Sequence, residues 1–401
     1  MNTLPRTLRL PALWLATILV HFWLIFEANV NPQTAPFNDV NLYGFWAEQV
    51  QQGHGLLGIS APWVYPFVSL GPILLAKIIG SSAGMLTGWL ILICAINLIG
   101  VSAIVDWGQE GKPAFRSAAY YLAFIAVLGP VAIGRIDSVA TFMAMLGLVQ
   151  IYRDRLKLAI ALFTLGAWVK IWPVAAVIAM VSSAKSRLKL VLISSGSAAV
   201  MLALGFALGG NQNLWSFVTT QGARGLQVES VAATFWVWAA KLGASGAGIY
   251  FDNQLVTNQV AGTFATETSA LLSLVMPGAL AITAFLSFRA YKAGANFKHL
   301  FTVSLLTATL DLIVFNKVGS PQFELWLAVP LMAGILLGVS RWHVPLAAGV
   351  AIALLTNLLY PVFYMDLMGL GYLGIWILTL RNLALVLLLV WANVRLGRFA
   401  R

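Results

Sequence analysis

Long apolar runs separated by short polar punctuation dominate this chain. The runs occupy residues 11–29, 86–105, 117–134, 138–152, 158–171, 173–183, 190–209, 269–288, 299–315, 322–340, 344–361 and 372–394. A helix needs about 20 predominantly apolar residues to cross a hydrocarbon core. The pattern therefore predicts an all-α polytopic integral membrane protein with about twelve crossings or part-crossings. Basic residues follow the runs in seven clusters: Arg6/Arg9, Lys112/Arg116, Arg153/Arg155/Lys157, Lys185/Arg187/Lys189, Arg289/Lys292/Lys298, Arg341 and Arg395/Arg398/Arg401. The positive-inside rule puts all seven in the cytoplasm. Two segments must bend for that to hold. Residues 62–84, interrupted by Pro66 and Pro72, are predicted as an outer-leaflet or re-entrant element. Residues 158–183, basic at both flanks, are predicted as a hairpin of two short helices turning near Lys170, Trp172 and Pro173.

Composition narrows the class. Apolar residues make up 60% of the 401, charged residues 9%, and the mean hydropathy is +0.87, a balance that no water-soluble globule of this size carries. One membrane domain over 1–401 is expected, in the plasma (inner) membrane of a bacterial-type cell. The formal charge of +11 lies in clusters between apolar runs, which reads as cytoplasmic anchoring and excludes a nucleic-acid stripe. Cys94 is alone, so disulfides and thiolate metal sites are excluded. His21, His54, His299 and His343 show no ligand spacing, and no metal site is expected. With no Gly-rich nucleotide loop, no cofactor is expected and a membrane-embedded donor fits better than a soluble nucleotide. Arg6 and Arg9 precede an apolar stretch as in a signal peptide, but no small-residue cleavage pattern follows, so 11–29 is read as a retained helix.

This topology collects on the outer face the loop 30–61, the turn Gly134–Asp137, the Lys170 apex, the loop 210–268, the turn Asn316–Gln322 and the segment Tyr360–Tyr372. Asp39 stands among apolar and aromatic residues and is partly desolvated, which favours a proton acceptor; its plainer reading is the cap of an interfacial helix starting at Val40. Trp63, Tyr65 and Pro66 read as a site wall or as an interfacial belt. Arg135 and Asp137 lie between apolar runs without a loop, as a functional pair or as a mutual ion pair. Lys170 is more than ten residues from either basic flank, too far to snorkel back. It needs an anion, supplied by a lipid-linked phosphate or by Asp137. Arg224 can fork onto phosphate while Gln227 and Glu229 offer groups for sugar hydroxyls, unless that loop is simply solvated. Lys317 is a cation against the positive-inside trend, a second phosphate ligand or an ordinary anchor. Tyr360 and Tyr364 read as belt aromatics.

Taken together, the Asp39-to-Trp46 loop, Trp63-Val64-Tyr65-Pro66, Lys170-Ile171-Trp172-Pro173, Arg224-Gly225-Leu226-Gln227-Val228-Glu229-Ser230 and Lys317-Val318-Gly319-Ser320-Pro321-Gln322-Phe323-Glu324-Leu325-Trp326 resemble the GT-C superfamily of polyprenyl-phosphate-sugar-dependent glycosyltransferases. In particular they resemble the actinobacterial polyprenyl-phosphate-mannose-dependent α-mannosyltransferases, over most of the chain. The resemblance implies a GT-C-like fold with re-entrant or interfacial helices in the outer loops, and an inverting transfer of mannose from a polyprenyl-phosphate donor to a lipid-linked glycan such as a phosphatidylinositol mannoside or lipomannan. Asp39 would be the base. Lys170, Arg224, Lys317 and Arg135 would hold the donor phosphate, and Tyr43, Trp46, Tyr65, Gln227, Glu229, Gln322 and Tyr360 would face sugar and acceptor. The chain departs from the family pattern in reading Tyr65-Pro66-Phe67 where Tyr-Pro-Pro is expected and in its single acid, which speaks against a metal. Donor, acceptor and membrane lipids are the expected partners of a monomer with an extracytoplasmic site. A secondary transporter or flippase is the alternative, although the two halves show no repeat symmetry.

Overall fold

The computed structural model describes residues 6–222, 224–253 and 256–400. Ala223 of the mid-chain motif and Arg401 of the last basic cluster lie outside them. Each apolar run becomes helix. In chain order the helices are α1 (Arg6–Val30), α2 (Asn38–Gln51), α3 (Leu70–Ile79), α4 (Met85–Ile104), α5 (Lys112–Leu128), α6 (Asp137–Tyr152), α7 (Leu156–Val169), α8 (Val174–Ser183) and α9 (Arg187–Ala207). After the short α10 (Ser216–Gly222) and α11 (Thr234–Lys241) come α12 (Ala265–Lys292), α13 (Phe297–Val314), α14 (Ala328–Leu336), α15 (His343–Asn357), α16 (Tyr364–Met368) and α17 (Tyr372–Phe399). Among the described residues seven, over Thr7–Val30, Met85–Ile104, Arg187–Ala207, Ala265–Lys292, Phe297–Val314, His343–Val362 and Tyr372–Phe399, are long and apolar enough to cross a membrane.

The outer surface agrees with the helix lengths. Phe22, Leu188, Leu274 and Leu387 are more than half exposed on α1, α9, α12 and α17, and apolar surface on this scale is not carried by a protein bathed in water. The molecule is a multi-pass helical membrane protein. Its hub is α13, where every residue from Leu300 to Val314 is buried, the signature of a helix packed on all sides.

The hairpin anticipated from charge at 158–183 is present. α7 and α8 form a short hairpin with Lys170 at its turn, in an extended conformation that ends α7. Residues 67–79 fold as one turn of 3-10 helix, Phe67–Ser69, leading into α3, an element of about 20 Å at about 1.5 Å per residue.

Contacts gather the basic clusters at one end of the bundle. Arg153 pairs with Asp106 at 2.6 Å and Lys298 with Asp154 at 3.0 Å, Arg187 lies over the rings of Phe288 and Tyr291, and Arg395 donates to the Ser340 hydroxyl at 2.9 Å. Tyr120, two turns into α5, donates to Leu346 O, which brings the starts of α5 and α15 to that same end.

One expectation is corrected: the fold is not purely α. Gly248–Asp252 (β1) and Thr257–Ala261 (β2) form an antiparallel hairpin in the 210–268 loop. Gln227 bridges to Gln259, and Val228 N and Val260 N donate across to Asn258 O and Leu226 O. The hairpin buries Leu226, Val228, Val237 and Val260 against Leu359, Leu367 and Leu378.

Candidate active site

Asp39 lies in the first turn of α2, where a carboxylate is favoured by the helix dipole. It does not cap that helix, which starts at Asn38 and not at Val40, and no side chain caps it. The Asp39 carboxylate instead faces the Arg135 guanidinium, Nε to Oδ2 3.0 Å, with 34% of the Asp39 side chain left exposed and Arg135 buried. Arg135 Nη1 donates to Pro36 O at 2.8 Å and to Gly134 O at 3.2 Å. The backbone around it is pinned on both sides: Trp89 donates to Ile133 O, and the Tyr43 hydroxyl accepts from Ile136 N at 3.0 Å. Gly134 is required here, because a Cβ would stand 2.8 Å from the Phe37 ring.

Arg135 and Asp137 are therefore not a mutual pair. Asp137, fully buried at the start of α6, accepts from Trp326 Nε1 at 2.8 Å and faces Lys170 Nζ at 3.6 Å. The Lys170 ammonium also sits 4.5 Å above the Tyr65 ring and 5.9 Å from that of Phe323. The hairpin apex is tied to the α3 entrance by the Ser69 hydroxyl, which donates to Val169 O. Tyr65 continues into an aromatic wall in which Trp63, Trp46 and Tyr43 pack at centroid distances of 5.2–5.8 Å. Burial pushes the Tyr43 and Tyr65 hydroxyls above their ordinary values, so both remain neutral donors.

The mid-chain loop closes the other side. Burial pulls the Arg224 guanidinium down, opposed by the nearby Tyr65 hydroxyl and Asp39 carboxylate, which places Arg224 within electrostatic range of the first cluster. Its Nε is buried with no hydrogen-bond partner. Burial, and then Arg224 beside it, pull the Lys317 ammonium down. Gln227 N donates to Lys317 O at 3.0 Å and Ser320 to the Gln227 side chain at 3.4 Å, so the two motifs form one surface. Burial raises the Glu229 carboxyl despite Arg381, Tyr364 and Gln227 around it. The Tyr360 hydroxyl donates to Thr34 O at 3.0 Å, and its ring stands at 5.1 Å from Tyr364.

Asp39, Tyr43, Tyr65, Arg135, Lys170, Arg224, Gln227, Glu229, Lys317 and Tyr360 thus meet in one region. Trp46 stands behind Tyr65 in the aromatic wall. Gln322 is half-buried on the Pro321–Leu327 turn and is brought into the region only through its neighbour Phe323. Residues not anticipated are Tyr364 and Asn258, joined at 2.9 Å, and Arg381, which donates to Glu229 O and faces Glu324 at 3.5 Å. Arg381 carried the same signal as Lys170, a lone charge inside an apolar run. An apolar groove of about 540 Å³ opens beside the region, lined by Val231, Leu272, Val314, Phe315, Val386 and Val390, two residues from Glu229 and two from Lys317. Among the described residues no three His, Cys, Asp or Glu side chains converge as metal ligands. Set against protein-family models, curated proteins and solved structures, the chain matches none.

Proposed function

We propose that the protein is an inverting glycosyltransferase of GT-C type, moving a sugar, mannose on the family likeness, from a polyprenyl-phosphate donor to a lipid-linked glycan at the outer face of the plasma membrane. The observation carrying this reading is the convergence of one part-exposed carboxylate, Asp39, with Lys170, Arg224 and Lys317 at the end of the bundle remote from the basic clusters. Asp39 takes the proton from the acceptor hydroxyl as that oxygen bonds to the anomeric carbon. The bond from that carbon to the phosphate oxygen breaks, and the electron pair leaves on the phosphate. Cations fixed in a low-dielectric setting stabilise charge that develops only in the transition state. Arg224, with its buried partnerless Nε, is suited to the phosphate, and Arg135 orients the base. The Glu229 carboxyl and Gln227 face sugar hydroxyls, and the groove beside Val231 and Phe315 takes part of the lipid tail.

With the basic end in the cytoplasm, twelve helices reach into or across the bilayer and the site is sunk below the outer surface. The 14 residues of α7 lift Lys170 only about 21 Å from the basic end, short of the roughly 30 Å of a hydrocarbon core. A lipid-borne donor reaches such a site laterally.

The test is transfer by purified protein from radiolabelled polyprenyl-phosphate-mannose to a membrane glycolipid extract. Asp39→Asn keeps the shape and loses the base, so a fall of at least about 100-fold is expected, with inversion of configuration in the wild-type product. Turnover within about tenfold of wild type, about 1.4 kcal/mol, removes Asp39 from this role.

A secondary transporter is the second reading, favoured by Asp311. This carboxylate is buried in α13, accepts from Thr283 at 2.6 Å, and lies near a Ser287–Ser304 hydroxyl pair at 2.7 Å. Uptake of label into proteoliposomes without any change in its glycosidic linkage supports that reading instead.

A further inference from the structure

At the opposite end of α17 from the site, a cleft of about 160 Å³ lies between the last turns of α17 and the first turn of α15, lined by Arg341, His343, Val344, Trp391, Arg395 and Arg398. Arg395 is 14 residues beyond Arg381, about 21 Å along the helix, so the cleft stands apart from the polar site described above and shares only Val394 with the foot of its apolar groove. We propose that it holds the phosphate headgroup of an anionic phospholipid of the adjoining leaflet.

Four observations point there. Three guanidiniums share one small cleft, and among the described residues no ion pair reaches any of them. The chain has no Asp or Glu at 325–365 or 367–401, so neither wall carries an acidic side chain of its own. Arg395 is fixed from one side, donating to Ser340 O and Oγ at 3.4 and 2.9 Å, while its Nε is buried with no hydrogen-bond partner. The start of α15 adds the positive end of its dipole.

The surroundings choose between a lipid and a free anion. Both walls belong to helices long enough to span a membrane, and the cleft lies where both reach their ends. Val344 and Val394 beside it are 42% and 51% exposed, and Leu387 and Leu383 continue the exposed stripe along α17 at 59% and 49%, one helical face at spacings of seven and four. A headgroup against the arginines thus leaves its acyl chains on an apolar stripe that already faces outward. Basic pockets between helix ends at a membrane surface are suited to anionic headgroups, and guanidiniums bind phosphate oxygens as forks.

The experiment uses the full-length protein in neutral detergent, counting retained lipid by native mass spectrometry and following melting temperature. Phosphatidylglycerol, phosphatidylcholine and inorganic phosphate are added separately at equal concentration. Wild type is expected to retain one tightly held phosphatidylglycerol and to melt several degrees higher with it, with no such effect from the other two. Arg341→Gln/Arg398→Gln, both on exposed positions, should raise the lipid concentration needed by at least tenfold, and Arg398→Gln alone should weaken retention in part. Arg155→Gln/Lys157→Gln, which removes the same charge from exposed positions on the same end, should change neither. Equal retention by the cleft variant, or an equal loss in the Arg155/Lys157 variant, overturns the proposal. An equal effect of inorganic phosphate reduces it to a free-anion site, and an equal effect of phosphatidylcholine removes the role of charge.

Discussion

Lys170 shows how one side chain can hold the fold and still face a ligand. Its ammonium is shared between the buried Asp137 carboxylate at 3.6 Å and the Tyr65 ring at 4.5 Å, an arrangement that leaves donor capacity on Nζ. Removing one member of a buried pair leaves an uncompensated charge and costs about 3–5 kcal/mol. Lys170→Ala should therefore lower the melting temperature markedly, Lys170→Met with Asp137→Asn should recover most of the loss, and neither protein should use donor. Full stability of Lys170→Ala alone would show that the pair does not support the fold. Lys317 supplies the pH dependence. Burial and Arg224 lower its ammonium from an ordinary 10.5, so its charge is lost as pH rises through a value below that, and donor binding should weaken over the same limb. In Lys317→Arg the guanidinium keeps its proton, so the alkaline limb of kcat/KM should move to higher pH; an unmoved limb assigns it to another group.

Among the elements, the motifs at 224–230 and 317–326 are held together by backbone. Gln227 N reaches Lys317 O, and Gly319 presses so close to Ser230 that a Cβ would stand 2.2 Å from its amide nitrogen. Arg381 clamps the same strip from α17 through Glu229 O. Gly319→Ala forces the 229–230 segment away, an overpacking cost of about 1–3 kcal/mol. We expect unchanged helix content by circular dichroism and a fall in transfer of tenfold or more, because Glu229 and Lys317 are displaced together. Activity equal to wild type would mean that the two motifs need not be in register.

For the molecule as a whole, the described basic clusters from Lys112 to Arg398 and the site residues lie at opposite ends of the bundle. Sidedness follows if the positive-inside rule holds. In a Cys94→Ser background, Ser60→Cys and Ser245→Cys should label with an impermeant maleimide on intact spheroplasts, and Ser186→Cys only after permeabilisation; all three positions are exposed. Labelling of Ser186→Cys from outside inverts the orientation. Gly319 is unsuitable for such a probe, because the space its side chain would need is filled by Ser230.

The sequence by itself determined where helices form, because the demand for apolar side chains and internally bonded backbone in lipid is local to each run. It also marked the hairpin at Lys170 and the embedded charges, since a lone cation or carboxylate in an apolar run has few ways to exist. Only the tertiary structure decided which charges meet. Arg135 and Asp137 are two residues apart, a spacing at which side chains at a helix start diverge, and each finds its partner on a distant element: Asp39 on α2 and Lys170 at the end of α7. The hairpin at 248–261 escaped for a related reason. Strand formation depends on what the segment packs against, and here the support is the Leu226–Val228 strip, α16 and the first turns of α17, which no local pattern reveals.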